Sequence, residues 1–200
     1  MSIESVPLGR RERNKQDKLQ RITAAARELF AEHGIDDVTT VHIAERADVA
    51  TGTLFLYAKT KSELLLLVQN TAYTDALVRG IAAAEHIPDE LSAVMAIVRP
   101  IVECNRVQVD NGRAYLREIV FGDPEEPHHR DAIAHTVETE RAISRVLERN
   151  DRMDQGRASS IAHVVSSIMF ITMAATVNRG SSVDDLVNQI QEHVRAILPA

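Results

Sequence analysis

The chain has no tryptophan, and aromatic residues make up only 4% of its 200 positions. It holds one cysteine, eight glycines and six prolines, and no strand-like alternation runs far. Each shortage excludes something. Cys104 alone cannot form an internal disulfide, which suits a reducing cytoplasm. Few turn residues and no alternation exclude a sandwich or barrel and leave an all-α chain. No apolar run follows the start, so no secretory signal is expected. No nucleophile elbow, glycine-rich phosphate loop or H-E-x-x-H motif occurs, so the reading is not an enzyme, with no cofactor.

What is present is 44% apolar residues, enough for a packed core, and an uneven charge. The formal net charge is −6, yet residues 1–61 hold ten Lys/Arg against nine Asp/Glu, which leaves −7 on the remainder. Arg10, Arg11, Arg13, Lys15, Lys18 and Arg21 form a dense basic run. Duplex affinity depends on local cations near phosphate rather than on total charge.

The stretch Thr39–Lys61, TTVHIAERADVATGTLFLYAKTK, reads as a helix, a sharp turn, a short second helix and a link to a third. Ile43, Ala44, Ala47, Val49, Leu54 and Tyr57 supply its apolar contacts, and Asp48 stands where the chain must turn. Before it lies a stripe of Leu19, Ile22, Ala26, Leu29 and Phe30, closed by Gly34. Thr39 or Thr40 is expected to cap the second helix, and Thr60 with Glu63 to form a capping box opening the fourth, which should end near Ala84.

From about Leu19 to Leu65 these residues resemble the DNA-binding end of the tetracycline-repressor (TetR) family of one-component regulators. Three departures stand out: Asp48 for the usual turn glycine, Phe55 for the usual tyrosine, and Ala58 for the usual phenylalanine. The resemblance implies an N-terminal three-helix helix-turn-helix domain followed by a helical ligand-binding and dimerisation bundle. The expected division is a disordered basic tail over 1–14, the DNA-binding domain over 15–60, and the second domain over 61–200. Carried over by position, Thr51, Gly52 and Thr53 would approach base edges or adjacent phosphates. Phe55 would meet a thymine methyl or sugar edge, and Tyr57 and Lys61 would hold phosphates. Thr40, Val41 and His42 would face the backbone or a groove edge.

The family pattern also implies a ligand pocket. The candidate lining is Met95, Val98, Ile101, Val102, Asn105, Tyr115, Leu116, Ile119, Phe121, Met169, Phe170 and Met173, with Cys104 and Arg106 as further polar anchors. The expected partners are a palindromic double-stranded operator, an apolar or amphipathic small-molecule effector, and a second copy of the chain. The alternative is a helical enzyme or small-molecule carrier with a vestigial DNA-binding module.

Helix breaks are expected at His86–Pro88, near Asp110–Gly112, at Gly122–Pro127 and at Arg179–Gly180. Between them run apolar stripes, one of them Ile133, Val137, Ile143, Val146 and Leu147, while Pro100 should kink another. Residues 158–177 carry no Lys, Arg, Asp or Glu, which is long enough for a membrane span. They hold His163 and six Ser or Thr, so a helix shared between core and dimer interface is the reading, with Ala162 and Ser166 at the closest approach and the amphipathic helix over 183–198 beside it. The cluster Glu125-Glu126-Pro127-His128-His129 with His135 matches no metal spacing and reads as a helix start.

Overall fold

The computed structural model describes residues 9–149 and 153–199, and every regular element among them is helical. The chain divides into two compact units, residues 1–65 and 66–200.

The first unit opens with α1 (Arg10–Asp37), whose backbone leaves helical geometry at Gly34, φ 76. That left-handed value is open to glycine at little cost, and it stops the main helix at the expected residue. The start differs. Residues 10–14, expected as part of a disordered tail, are the opening turn of α1, while residues 1–8 lie outside the described residues. The segment RRERNKQDK has no apolar stripe but is rich in good helix formers behind an extended Gly9. Next come α2 (Thr40–Arg46) and α3 (Thr51–Leu54). The Thr39 hydroxyl accepts from the His42 amide at 3.2 Å and so caps α2. Ile22, Ala26, Phe30, Val38, Ile43, Ala44 and Leu54 are buried and bind the three helices into one core.

α4 (Lys61–Ala84) carries the division between the units. At its start the Thr60 hydroxyl accepts from the Glu63 amide at 3.1 Å. The returning Glu63 carboxylate accepts from Lys59 N at 2.6 Å, one residue before the position a standard capping box uses.

The second unit continues with α5 (Glu90–Arg106), α6 (Val109–Phe121), α7 (Pro127–Glu148), α8 (Gln155–Ala174), a 3₁₀ turn (Thr176–Asn178) and α9 (Val183–Ile197). Asp89, Gln108, Glu126, Asp154 and Ser182 cap the five α-helices through their side chains. Ser182 and Asp185 complete a reciprocal box. α8 packs against α7 and α9, and α5 against α7 and α9. Helix α5 runs through Pro100 without a break in its assignment. Near the backbone carbonyl of Ala96, which Pro100 cannot bond, α4 presents Gly80. A Cβ there would lie 3.0 Å from that oxygen and 2.9 Å from Ile97 Cα, so glycine lets the two helices touch.

Three expectations about phase are corrected. Asp110–Gly112 is not a break but the first turn of α6. The chain turns just before it, and a Cβ on Gly112 would overlap the Asn105 carbonyl oxygen. On α7, Ile133 and Val137 are exposed, whereas His129 and Thr139 are buried. Polar groups on the neighbouring helices set that phase, because the Tyr73 hydroxyl meets Thr139 Oγ1 at 2.9 Å. Ala162 and Ser166 of α8 lie inside their own unit, at 0% and 3% exposure, so neither is at an outer surface. After the exposed Arg157 at its start, the outward face of α8 is Ser160, His163, Val164, Ser167, Ile171 and Ala174 at helical spacing, with His163 Nδ1 3.0 Å from Glu140 Oε1.

Candidate nucleic-acid interface and effector region

The reader is built by burying one face of α2 and α3 and leaving the other to solvent. Ile43, Ala44 and Leu54 point inward, while Val41, His42, Gly52 and Phe55 are exposed and Thr40, Thr51 and Thr53 are partly accessible. Ala50 offers no side-chain oxygen to the first-turn amides of α3. Nothing lies within 4 Å of a Cβ built on Gly52, so this part of the helix is open to close approach. Leu56, which the sequence reading did not single out, is 83% exposed at the end of the same turn. An exposed leucine beside Phe55 breaks the inward-facing pattern; that mismatch was the one sign in the sequence.

The expected phosphate contacts are held by the protein itself. Tyr57 donates its hydroxyl to the Lys15 carbonyl at 3.2 Å, which joins the end of the reader to α1. Lys61 Nζ donates to the Asp36 carbonyl at 3.2 Å and retains further N–H donors. The basic run lies along the exposed surface of α1, where Asn14, Lys18 and Arg21 line an open concavity of about 680 Å³ with Asp17, Gln20 and Ala24. Between α2 and α3 the backbone of Asp48 has φ 52, the only positive value for a non-glycine among the described residues.

The candidate effector residues are core in this structure. Met95, Val98, Ile101, Val102, Tyr115, Leu116, Ile119, Met169 and Met173 are all buried, and Phe170 is half-buried. Phe121 is 83% exposed and lines no interior. The buried stripe of α6 is Gly112, Tyr115, Leu116 and Ile119, and a residue two further along points to the opposite side. Asn105 is buried and donates Nδ2 to the Gly112 carbonyl at 3.2 Å. Arg106 Nη2 donates to the carbonyls of Asn178, Arg179 and Ser181, so it is an anchor of the α8–α9 connection. Burial, then the neighbouring Arg113, lowers the Arg106 pKa. The Cys104 thiol is pushed up to about 11 by burial, leaving little thiolate near neutrality.

A buried polar node lies beside this apolar core. Asn70 Oδ1 accepts from the Tyr115 hydroxyl at 2.9 Å, and Asn70 Nδ2 donates to the His128 carbonyl at 2.8 Å. One side chain of α4 thus ties α6 to the start of α7. Tyr73 stacks on His135 with ring centroids 5.8 Å apart, and His135 Nε2 lies 3.3 Å from the Thr74 hydroxyl. Burial raises the Tyr73 and Tyr115 pKa values and lowers that of His135, so all three stay neutral near pH 7. An open groove of about 370 Å³ between α4 and α7 reaches this node through Asn70, Thr74, His128 and His135. The Glu126–His129 cluster is the capped start of α7, with Glu126 accepting from the His129 amide at 2.9 Å. Among the described residues no group of three or more His, Cys, Asp or Glu is placed to hold a metal. Gln155–Ala174 is long and apolar enough to cross a membrane by length and composition, and 39% of its apolar window is buried within the protein.

Residues 22–68 match the family described as bacterial regulatory proteins, tetR family. Over 184 residues the chain is 24% identical to the HTH-type transcriptional repressor KstR of Rhodococcus jostii (strain RHA1), covering 92% of this chain and 84% of that one. The fold is similar to that of Thermus thermophilus FadR, a TetR family repressor solved in complex with lauroyl-CoA. The TM-score is 0.70 at 19% identity, over 90% of this chain and 95% of that one. It is also similar to a TetR transcriptional regulator from Rhodococcus sp. RHA1, with TM-score 0.67 at 18% identity over 92% and 97% of the two chains.

Proposed function

We infer, from the match of residues 22–68 to the tetR family of bacterial regulatory proteins, that this chain is a cytoplasmic, dimeric repressor of that family released from a palindromic operator by a small-molecule effector. The observation that carries the reading is the two-faced α2–α3 pair. Leu54 is fully buried while Thr51, Gly52, Thr53 and Phe55 remain accessible on a helix too short to serve as scaffold. Such a helix can enter a major groove with its N-terminal side chains toward base edges.

The second unit, residues 66–200, is the sensing and dimerisation part of this reading. Its effector is apolar or amphipathic, in keeping with a similar fold that was solved with an acyl thioester bound. The release mechanism is a population shift, in which the effector binds better to a state whose two readers are wrongly spaced for successive grooves. The covalent link between sensing and reading is α4. The outer face of α8, with Val164 and Ile171 exposed, supports a second copy as its cover. Cys104, half-buried and with its thiol pKa raised by that burial, gives the enzyme alternative no ready nucleophile.

The test is selection of bound fragments from a random duplex library, followed by release with the compound that co-purifies from denatured protein. Enriched inverted half-sites about one helical turn apart are expected. Thr51→Ala and Thr53→Ala should alter the enriched sequence, whereas Lys61→Ala should weaken all sites alike. A library that shows no enrichment would sink the operator reading.

A further inference from the structure

The turn of the reader carries an acid in an unfavourable place. Left-handed backbone at Asp48 costs more than at a glycine, and a carboxylate beside a DNA-reading helix repels phosphate. Asp48 Oδ2 meets Arg21 Nη1 at 3.3 Å, and the same nitrogen donates to the Asp48 carbonyl at 3.3 Å. The Asp48 side chain is 98% exposed and that of Arg21 45%, so the pair contributes little to stability. The left-handed turn accounts for an Asp or Asn at this position but not for the charge. Asp48 is three residues before Thr51, so its carboxylate lies within roughly 10 Å of the start of α3. That is about one Debye length at physiological salt. Arg21 in turn lines the open concavity of α1 with Asn14, Asp17 and Lys18.

Resting on the DNA-binding reading above, we propose that Asp48 and Arg21 form an internal charge lock that limits sequence-independent DNA affinity. Arg21 is a phosphate ligand held in reserve. Asp48 occupies its guanidinium in the free protein and competes with phosphate for it in the complex. Non-specific binding is almost wholly electrostatic, so each neutralised cation removes part of it. Base contacts from α3 are untouched by the lock. The ratio of specific to non-specific affinity therefore rises, at the cost of a strained turn residue.

The experiment uses four full-length proteins: wild type, Asp48→Asn, Arg21→Gln and the double variant. Asparagine keeps the tolerance for left-handed backbone and removes only the charge. Binding to one random-sequence duplex is measured by fluorescence anisotropy across a fourfold rise in salt, with thermal melts to confirm folding. Asp48→Asn should bind more tightly, and its log–log salt slope should steepen by about one counterion per protomer. Over that salt range it then loses about threefold more affinity per protomer than wild type. Arg21→Gln should leave the wild-type slope nearly unchanged and cancel the steepening in the Asp48→Asn background. An unchanged slope in Asp48→Asn overturns the lock. So does steepening that survives in the double variant, because bare repulsion by the acid would then be the whole effect. Absence of salt-dependent binding by all four proteins overturns the DNA reading itself and the lock with it.

Discussion

Replacing Tyr115 by phenylalanine removes one hydroxyl from the Asn70 node and leaves the rest of the ring in place. Tyr115 is 2% exposed and Asn70 7%, so little water reaches the Asn70 Oδ1 it abandons. A buried acceptor left without its donor costs about 1–3 kcal/mol. Asn70→Leu loses more, because it strands the Tyr115 hydroxyl and also removes the bond to the His128 carbonyl, for about 2–4 kcal/mol by the same rule. The double variant strands neither the Tyr115 hydroxyl nor Asn70 Oδ1. It should therefore be less destabilised than the sum of the single changes, by roughly 1–2 kcal/mol of coupling. Urea unfolding followed by near-ultraviolet dichroism suits the test. The chain has no tryptophan, and Tyr73 remains in the second unit as a reporter when Tyr115 is changed. Additive losses would refute the shared node, and a Tyr115→Phe variant within about 0.5 kcal/mol of wild type would show that the hydroxyl is not buried against Asn70.

Gly112→Ala should destabilise by about 1–3 kcal/mol or more, since its methyl would overlap the Asn105 carbonyl; a melting temperature equal to wild type would refute that packing. Burial depresses the folded-state pKa of His135 below its usual 6.5, so the unfolded chain takes up that proton first. The stability linked to this group is intact above about pH 6.5 and lost as pH falls through the folded value. His135→Asn should flatten that slope in unfolding curves taken from about pH 7 down to 5, and an equal slope in both proteins would count against the assignment. Cys104, raised to about 11, should react with a thiol reagent at pH 8 more slowly than a free cysteine, because little thiolate is present; labelling as fast as that of a free thiol would contradict the raised pKa. Ile171→Asp places a charge on an outer face 70% exposed in the single chain, so the fold should survive while sedimentation shows monomers; a persistent dimer would move the interface off this face of α8.

The features legible in the sequence are those that act over three or four residues. A Thr or Ser side chain reaches the amide three positions on whatever surrounds it, so the caps at Thr39, Thr60 and Ser182 could be read directly. The left-handed turn at Asp48, the break at Gly34 and the length of α4 follow from the same local chemistry. The apolar, uncharged run of α8 announced a helix covered on most sides, but composition alone could not say which face was covered by its own chain. Tertiary packing decided that, and it put Ala162 and Ser166 inside and Ile171 outside. It also changed the buried face in the first half of α7, where Thr139 turns toward Tyr73 and Ile133 is exposed, while Ile143, Val146 and Leu147 are buried as expected. The polar node at Asn70 and the pairing of Arg21 with Asp48 join residues 45 and 27 positions apart along the chain. No local propensity encodes such pairs, because their energy exists only once separate helices have brought the two groups within hydrogen-bonding distance.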